Sequence, residues 1–178
     1  MIIDNIDRAT FSLETDKKQI LAEAYTMRAY MFFCLTRLWG DIPLETESTK
    51  GSAKPLPSRS SCDEAIGQVI KDLNTAKGKS RASKPAAYAL MADTYLWKAK
   101  VLGGGNEDLQ EVIRYAGLAS KDTGLESDFS EIYGSRNGQE VIWSIHFGYP
   151  EIADSYTHFL TLRDVFVDKA VNKDEIPY

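Results

Sequence analysis

Helical periodicity runs through most of the chain, broken by short polar or glycine-bearing stretches. From Ile20 to Trp39, fifteen of twenty residues are apolar, with Glu23, Arg28 and Arg37 set among them. A run this apolar on every side predicts a buried helix clasped on more than one side. It starts near Asp16 and ends at Leu38 or Trp39, where Gly40 supplies the left-handed residue that closes a helix. A second helix, 61–77, opens with Ser61 and Glu64 at capping-box spacing and carries Ala65, Val69, Leu73 and Ala76 on one stripe. Gly78 marks its end. A third, 84–102, tolerates Pro85 in its first turn and packs through Ala86, Ala89, Leu90, Ala92, Tyr95, Leu96 and Trp97. Gly103, Gly104 and Gly105 close it. The fourth, 106–120, takes Asn106 as its N-cap and presents Leu109, Val112, Ile113, Ala116 and Ala119, with Lys121 and Gly124 at its exit.

The order is helix, long connection, helix, short link, helix, short link, helix. Ala29 and Phe32 in the first helix match Ala92 and Tyr95 in the third, a small residue preceding a ring by three. That is the knob-and-gap arrangement of tetratricopeptide-like hairpins. The predicted fold is all-α: antiparallel hairpins 16–38 with 61–77 and 84–102 with 106–120, stacked through Ala29, Phe32, Ala92 and Tyr95.

Past Gly124 the periodicity changes. Glu140 to Phe147 alternates, with Val141, Trp143, Ile145 and Phe147 on one side and Ile142, Ser144 and His146 on the other. This predicts a short strand or extended segment laid on the helices. From Glu151 onward the residues are mixed, without a clear period. The expected organisation is one domain over 1–178, with two hairpins in 16–124 and an irregular part with a short strand in 125–178.

The first helix is not a membrane span on this pattern. Its longest unbroken apolar stretch, Ala29 to Leu35, is seven residues, against about 20 needed to cross a bilayer. It leads into the corner RLWGDIPLETE, residues 37–47. Gly40 permits the reversal, Pro43 fixes an extended exit, and Trp39 and Ile42 are expected to pack back on the helices. Asp41 is read as a cap or as the ion-pair partner of Arg37, with a ligand contact as the other reading.

Composition then removes function classes. The net charge of -5 and the lack of a Lys/Arg cluster disfavour nucleic acid, which wants a basic face. Cys34 and Cys62 build neither a disulfide framework nor a zinc site. Cys34 is expected to be buried and inert. Cys62 sits in a helix's first turn, where the dipole favours the thiolate, but Asp63 and Glu64 oppose that. His146 and His158 stand twelve apart with no third ligand in view, so no metal is expected. The glycine run after the third helix follows no strand and lacks a Lys-Ser/Thr, so it is a cap and not a phosphate cradle. No carboxylate pair stands out for acid/base work. The expectation is a non-enzyme without a cofactor. The N-terminus carries no basic n-region or apolar core of signal length, so either the protein is cytosolic or the sequence starts downstream of a signal.

AEAYTMRAYMFFCLTRLWGDIPLETES resembles the helix-and-corner signature of the SusD/RagB family. The matching positions are Glu23-Ala24, Arg28-Ala29-Tyr30 and Arg37-Leu38-Trp39-Gly40-Asp41-Ile42-Pro43-Leu44. SRSSCDEAIGQVIKDLNTAK resembles the family's next helix, with Ile70, Asp72-Leu73 and Ala76 in register. KPAAYALMADTYLWKAKV and QEVIWSIHF follow in the family's order, so the similarity runs from about residue 16 to 147. The resemblance implies a nutrient-binding surface lipoprotein of Bacteroidetes-type bacteria. Such a protein captures oligosaccharide and delivers it to a SusC-like TonB-dependent outer-membrane transporter. The family's lipidated cysteine and signal have no counterpart here, and Asp93 stands where a basic residue is more usual. The chain therefore resembles an internal helical part of a longer, lipid-anchored protein.

A glycan site needs flat apolar rings against the C–H face of a sugar and polar groups on its hydroxyls. Trp143, Tyr149 and Tyr156 are the candidate ligand-binding residues, in an aromatic-polar cluster with Phe159, Arg136, Asn137 and His158. Packing competes for each of those rings. The alternative function is a tetratricopeptide-type adaptor that binds a peptide in a groove across the hairpins.

Overall fold

The computed structural model describes residues 2–48, 57–76, 84–130, 132 and 138–143. Its elements are α1 (Ile2–Asn5), a 3-10 turn (Ile6–Arg8), α2 (Glu14–Trp39), α3 (Cys62–Thr75), α4 (Lys84–Val101) and α5 (Asn106–Ala119). Two short strands, β1 (Ile42–Pro43) and β2 (Arg59–Ser60), complete them. All of these lie in one compact unit, Met1–Trp143. The four long helices fall where periodicity places them. The all-α hairpin fold stands.

Local chemistry sets the boundaries. Ser61 caps α3: its hydroxyl accepts from the Glu64 N–H at 3.3 Å, and the Glu64 carboxylate accepts from the Ser61 N–H at 2.9 Å. Gly103, with φ of +73°, ends α4, and the Gly104 N–H reaches back to the Lys98 carbonyl at 3.1 Å. The cap of α5 differs by one position from the sequence expectation. Gly105 is the N-cap and Asn106 the first helical residue. The N-terminal function passes to Asp108, whose carboxylate accepts the Gly105 N–H at 3.3 Å and pairs with Lys98 at 2.6 Å.

The hairpins are antiparallel. Arg28 meets Asp72 while the corner after α2 meets the start of α3, and Lys98 meets Asp108 while Tyr88 and Tyr95 meet Tyr115. One core runs through all four helices: Ala29, Phe32 and Phe33 from α2, Ile66, Val69 and Leu73 from α3, Met91 and Ala92 from α4, and Tyr115 from α5. Tyr95 packs at its margin, its ring stacked on Tyr115 with centroids 5.8 Å apart. Ala29, Phe32, Ala92 and Tyr95 thus share one core, but α3 against α4 carries more of the join between the hairpins than α2 against α4. Burial of a large aliphatic or aromatic side chain stabilises by about 1.5–3 kcal/mol, so Phe33, Ile66, Leu73 and Met91, all nearly solvent-free, are the main anchors.

Leu96 and Ile113, expected to pack, are exposed, and two larger expectations change as well. The clasp on α2 is one-sided: Ala22, Thr26, Ala29, Phe33 and Thr36 are buried, whereas Ile20, Met27, Met31, Leu35 and Leu38 on the opposite face are exposed. The alternating segment at Glu140–Phe147 is described only to Trp143, where it forms a turn and a bend. Residues 144–147 lie outside the described residues. The strand pair that is described lies at the corner, Ile42 opposite Ser60 and Pro43 opposite Arg59.

Candidate functional site

The corner after α2 is built by backbone need. Gly40 has φ of +71° and ψ of -123°, a conformation that a side chain resists. Its N–H still bonds the Thr36 carbonyl at 2.9 Å. Asp41 then aims its carboxylate at the start of α3 and accepts the Cys62 N–H at 2.9 Å. This is the cap of the two structural readings, made across the connection. The ion pair of Arg37 goes elsewhere: it reaches Asp93 on α4 at 3.1 Å, and its guanidinium lies over the rings of Phe33 and Trp97 at 5.1 and 5.3 Å. The acidic residue at 93 is thereby matched by Arg37. Ile42 packs back as expected, whereas Trp39 does not and is 65% exposed. The reversal at Gly40 carries the chain away before anything covers that ring.

Behind the corner sits a buried ionic brace. Asp72, 1% exposed, accepts three hydrogen bonds, from Arg28 Nε, Arg28 Nη2 and Gln68 Nε2, each at 2.7 Å. Arg28 also donates through Nη1 to the Thr46 carbonyl at 3.0 Å and lies 5.3 Å from the centroid of Tyr25. The hydrogen bonds to Asp72 hold the Arg28 guanidinium further above its ordinary pKa, against the opposing effect of burial. One side chain therefore ties α2 to α3 and to the exit of the corner. Two motif positions from separate helices, Arg28 and Asp72, meet here. Their role is structural.

The cysteines follow the same rule. Burial pushes the Cys62 thiol above its ordinary value, and the Asp41 and Asp63 carboxylates add to the push. Cys34 is half-buried rather than fully buried, against Tyr30.

Of the candidate ligand-binding rings, Trp143 alone falls among the described residues. Tyr149 and Tyr156 lie outside them, as do Arg136, Asn137, His146, His158 and Phe159. Trp143 is half-buried, packed edge-on against Tyr30 with centroids 5.2 Å apart and planes at 84°. It is delivered there by a polar clasp. The Gly124 N–H bonds the Gln139 carbonyl at 3.3 Å, the Glu126 N–H bonds the Glu140 carboxylate at 3.1 Å, and the Val141 N–H bonds the Gly138 carbonyl at 3.2 Å. Packing on α2 thus claims part of the Trp143 ring.

The described aromatic residues that face solvent are Trp39 and Phe129. Neither was among the sequence candidates. For Trp39 the signal was present: a ring one turn beyond the last buried position of a helix, directly before a reversing glycine, has little left to pack on. Phe129 lies in a non-periodic stretch, next to Asp128, whose carboxylate accepts from the Ser130 N–H at 2.8 Å and hydroxyl at 2.7 Å and is held below the usual carboxylate range.

A recess of about 390 Å³ opens between α1 and the exposed face of α2, lined by Ile2, Ile3, Met27, Met31 and Leu35 with Arg28 and Glu45 at its edge. Its wall is almost wholly apolar, and Arg28 is committed to Asp72 and Thr46, so it lacks the convergent hydroxyl-binding groups of a sugar site. Among the described residues no three His, Cys, Asp or Glu converge as metal ligands, and no helix is long and apolar enough to cross a membrane.

A SusD-like family model, described as starch-binding associating with outer membrane, matches residues 1–96. A SusD-like protein of Bacteroides ovatus is 27% identical over 148 residues, 75% of this chain and 27% of its own length. A SusD-like protein of Formosa agariphila is 24% identical over 83% of this chain and 29% of its own. Among solved structures, a SusD superfamily protein from Bacteroides vulgatus superposes with a TM-score of 0.72 at 30% identity, over 84% of this chain and 33% of that one. A crystal structure with xylogluco-oligosaccharide gives a TM-score of 0.74 at 24% identity, over 84% of this chain and 34% of that one. The chain therefore spans between about a quarter and a third of the length of these proteins.

Proposed function

Because this chain belongs to the SusD-like family, we propose that it is the tetratricopeptide-like helical part of a non-catalytic glycan-binding protein of the outer membrane. In this reading 1–178 form one SusD-like helical domain, with two hairpins in 16–124 and an irregular part in 125–178. The parent protein is lipid-anchored at the cell surface and hands captured oligosaccharide to a SusC-like TonB-dependent transporter. The family match over residues 1–96, with its starch-binding description, is the observation that carries the reading. The structural neighbour with xylogluco-oligosaccharide supports the ligand class.

The helical unit serves as scaffold and the sugar site lies mainly elsewhere. Most described rings are engaged in packing: Phe32, Phe33 and Tyr115 in the core, Tyr88 and Tyr95 against Tyr115, and Trp143 against Tyr30. A sugar site must offset about 4 kcal/mol or more of lost rigid-body freedom, which needs several preorganised rings and hydrogen-bonding groups. Trp143, Tyr149 and Tyr156 remain the proposed contributions of this chain.

Calorimetry against a panel of plant and host oligosaccharides tests this. The longest polypeptide encoded by the gene is expected to bind at least one glycan, and the 178-residue chain alone weakly or not at all. Loss of affinity in Tyr149→Ala or Tyr156→Ala of the longer protein would support those rings, and full retention in both would remove them from the site. A parent protein that binds no glycan, yet binds a peptide along the hairpins, would overturn the reading in favour of an adaptor.

A further inference from the structure

After α5 the chain loses its periodic pattern, yet residues 124–126 and 138–141 are bound closely to each other. Neither stretch is helix or strand. Two carboxylates join them instead of a regular ladder. Glu140 accepts the Glu126 N–H at 3.1 Å, and Glu126 in return accepts the Gln139 N–H. The Gly124 N–H adds a bond to the Gln139 carbonyl at 3.3 Å, and the Val141 N–H turns back onto the Gly138 carbonyl at 3.2 Å. Hydrogen bonds from a backbone N–H to an ionised carboxylate are among the stronger kinds. The absence of a side chain at Gly138 admits one of the two carboxylates: a methyl group there would come within 2.7 Å of Glu126 Oε1.

Three residues beyond Glu140 stands Trp143. Its ring meets Tyr30 at right angles, with centroids 5.2 Å apart and planes at 84°. Tyr30 is a firm footing, on α2 next to the fully buried Ala29, with its hydroxyl against the Cys34 thiol. A pair at right angles engages at most one face of the indole, and Trp143 as a whole stays half-buried. The ring is therefore fixed from two sides, by helix and by clasp, while one of its faces is left clear of Tyr30. A flat apolar face already in place is what a ring needs in order to receive the C–H side of a sugar.

We propose that Glu126 and Glu140 are positioning residues of the glycan site: their carboxylates join 124–126 to 138–140 and so hold the Trp143 indole as a platform for a pyranose ring. This rests on the reading that Trp143 contributes to a glycan site, and it adds how that ring is held. Neither glutamate contacts the sugar, and each acts through the indole. A side chain that must be immobilised on binding costs about two- to tenfold in affinity, which is the advantage the clasp supplies in advance.

Fluorotryptophan labelling of the longest polypeptide encoded by the gene gives Trp143 its own fluorine NMR signal, assigned with Trp143→Phe. A malto-oligosaccharide and a xylogluco-oligosaccharide are the probes, and calorimetry on the same samples gives the affinities. At least one probe is expected to bind and to move the Trp143 signal. Glu126→Ala and Glu140→Ala are expected to shift that signal before sugar is added and to weaken binding about two- to tenfold, with the helical circular dichroism unchanged. Glu126→Gln, whose amide oxygen can still accept the Gln139 N–H, is expected to restore both signal and affinity. Gly138→Ala keeps both glutamates but displaces the Glu126 carboxylate, and is expected to behave like Glu126→Ala. In a Trp143→Ala background, Glu126→Ala should add no further loss, because the two act as one unit. Binding that leaves the Trp143 signal unmoved overturns the proposal while the glycan reading stands. So does an alanine variant that binds as wild type, an equal loss in Glu126→Gln and Glu126→Ala, or a double variant whose losses add. Binding of neither probe removes the premise and the proposal with it.

Discussion

Replacing Asp72 with alanine deletes the acceptor of three 2.7 Å hydrogen bonds and leaves the Arg28 guanidinium with the Thr46 carbonyl and the Tyr25 ring among its described contacts. The Arg28 side chain is 13% exposed, and a guanidinium cannot shed its proton to escape. Breaking one partner of such a buried pair costs about 3–5 kcal/mol, out of a total of roughly 5–15 kcal/mol for a domain. At about 2–4 °C per kcal/mol for a chain of this size, the melting temperature should fall by roughly 6–20 °C. Urea unfolding followed by far-ultraviolet circular dichroism gives the free energy, and an unchanged denaturant slope confirms that the folded state is the same. The companion variant Arg28→Met/Asp72→Leu removes both charges and should lose less than Asp72→Ala alone, because apolar replacement of a buried pair is often neutral or stabilising. An Asp72→Ala loss under about 1 kcal/mol would place the pair in the weak class of surface bridges. A double variant that loses the sum of both single changes would deny their coupling. Either outcome refutes the brace.

Gly40→Ala should cost about 1–3 kcal/mol, since the positive φ leaves the added methyl strained whatever the space around it; an unchanged melting temperature would mean that the corner has another conformation. Ala92→Leu should cost about 1–3 kcal/mol by overpacking the shared core, and a thermal melt equal to wild type would put Ala92 on the surface. Cys62 should react with iodoacetamide at pH 8 more slowly than an unperturbed thiol. Because its folded pKa is raised above the ordinary 9.0, the neutral thiol's contribution to stability is full below that value and fades as pH climbs through the raised one. Faster labelling than a free thiol would reverse that assignment.

The helices were legible because their boundaries rest on local chemistry. Ser61 with Glu64, Gly40 and Gly103 each satisfy a need that lies within a few residues of sequence. Periodicity also found Ala29, Phe32 and Ala92 as core. What it could not supply was which of two apolar faces of α2 meets the rest of the molecule, since a helix apolar all round has no direction in its pattern. The partner of Arg37 escaped for a similar reason: the ionic contact bridges 56 positions, and the nearest acid in sequence, Asp41, was drawn to the Cys62 N–H instead. The proposed binding rings were the least legible, because a tryptophan in a non-periodic segment packs or binds according to neighbours that the pattern does not name. Trp143 found Tyr30.

The connection from α2 to α3 is pinned at both feet, by Asp41 on Cys62 and by Ile42 against Ser60, while Arg28 holds Thr46 a few residues further in. The described contacts that close the hairpin therefore all lie outside residues 49–56. Each doubling of a loop's length costs only about 0.6 kcal/mol in closure entropy. An insertion in that interval should therefore leave the two helices paired, which makes it the place where sequence can change while the scaffold stays as it is.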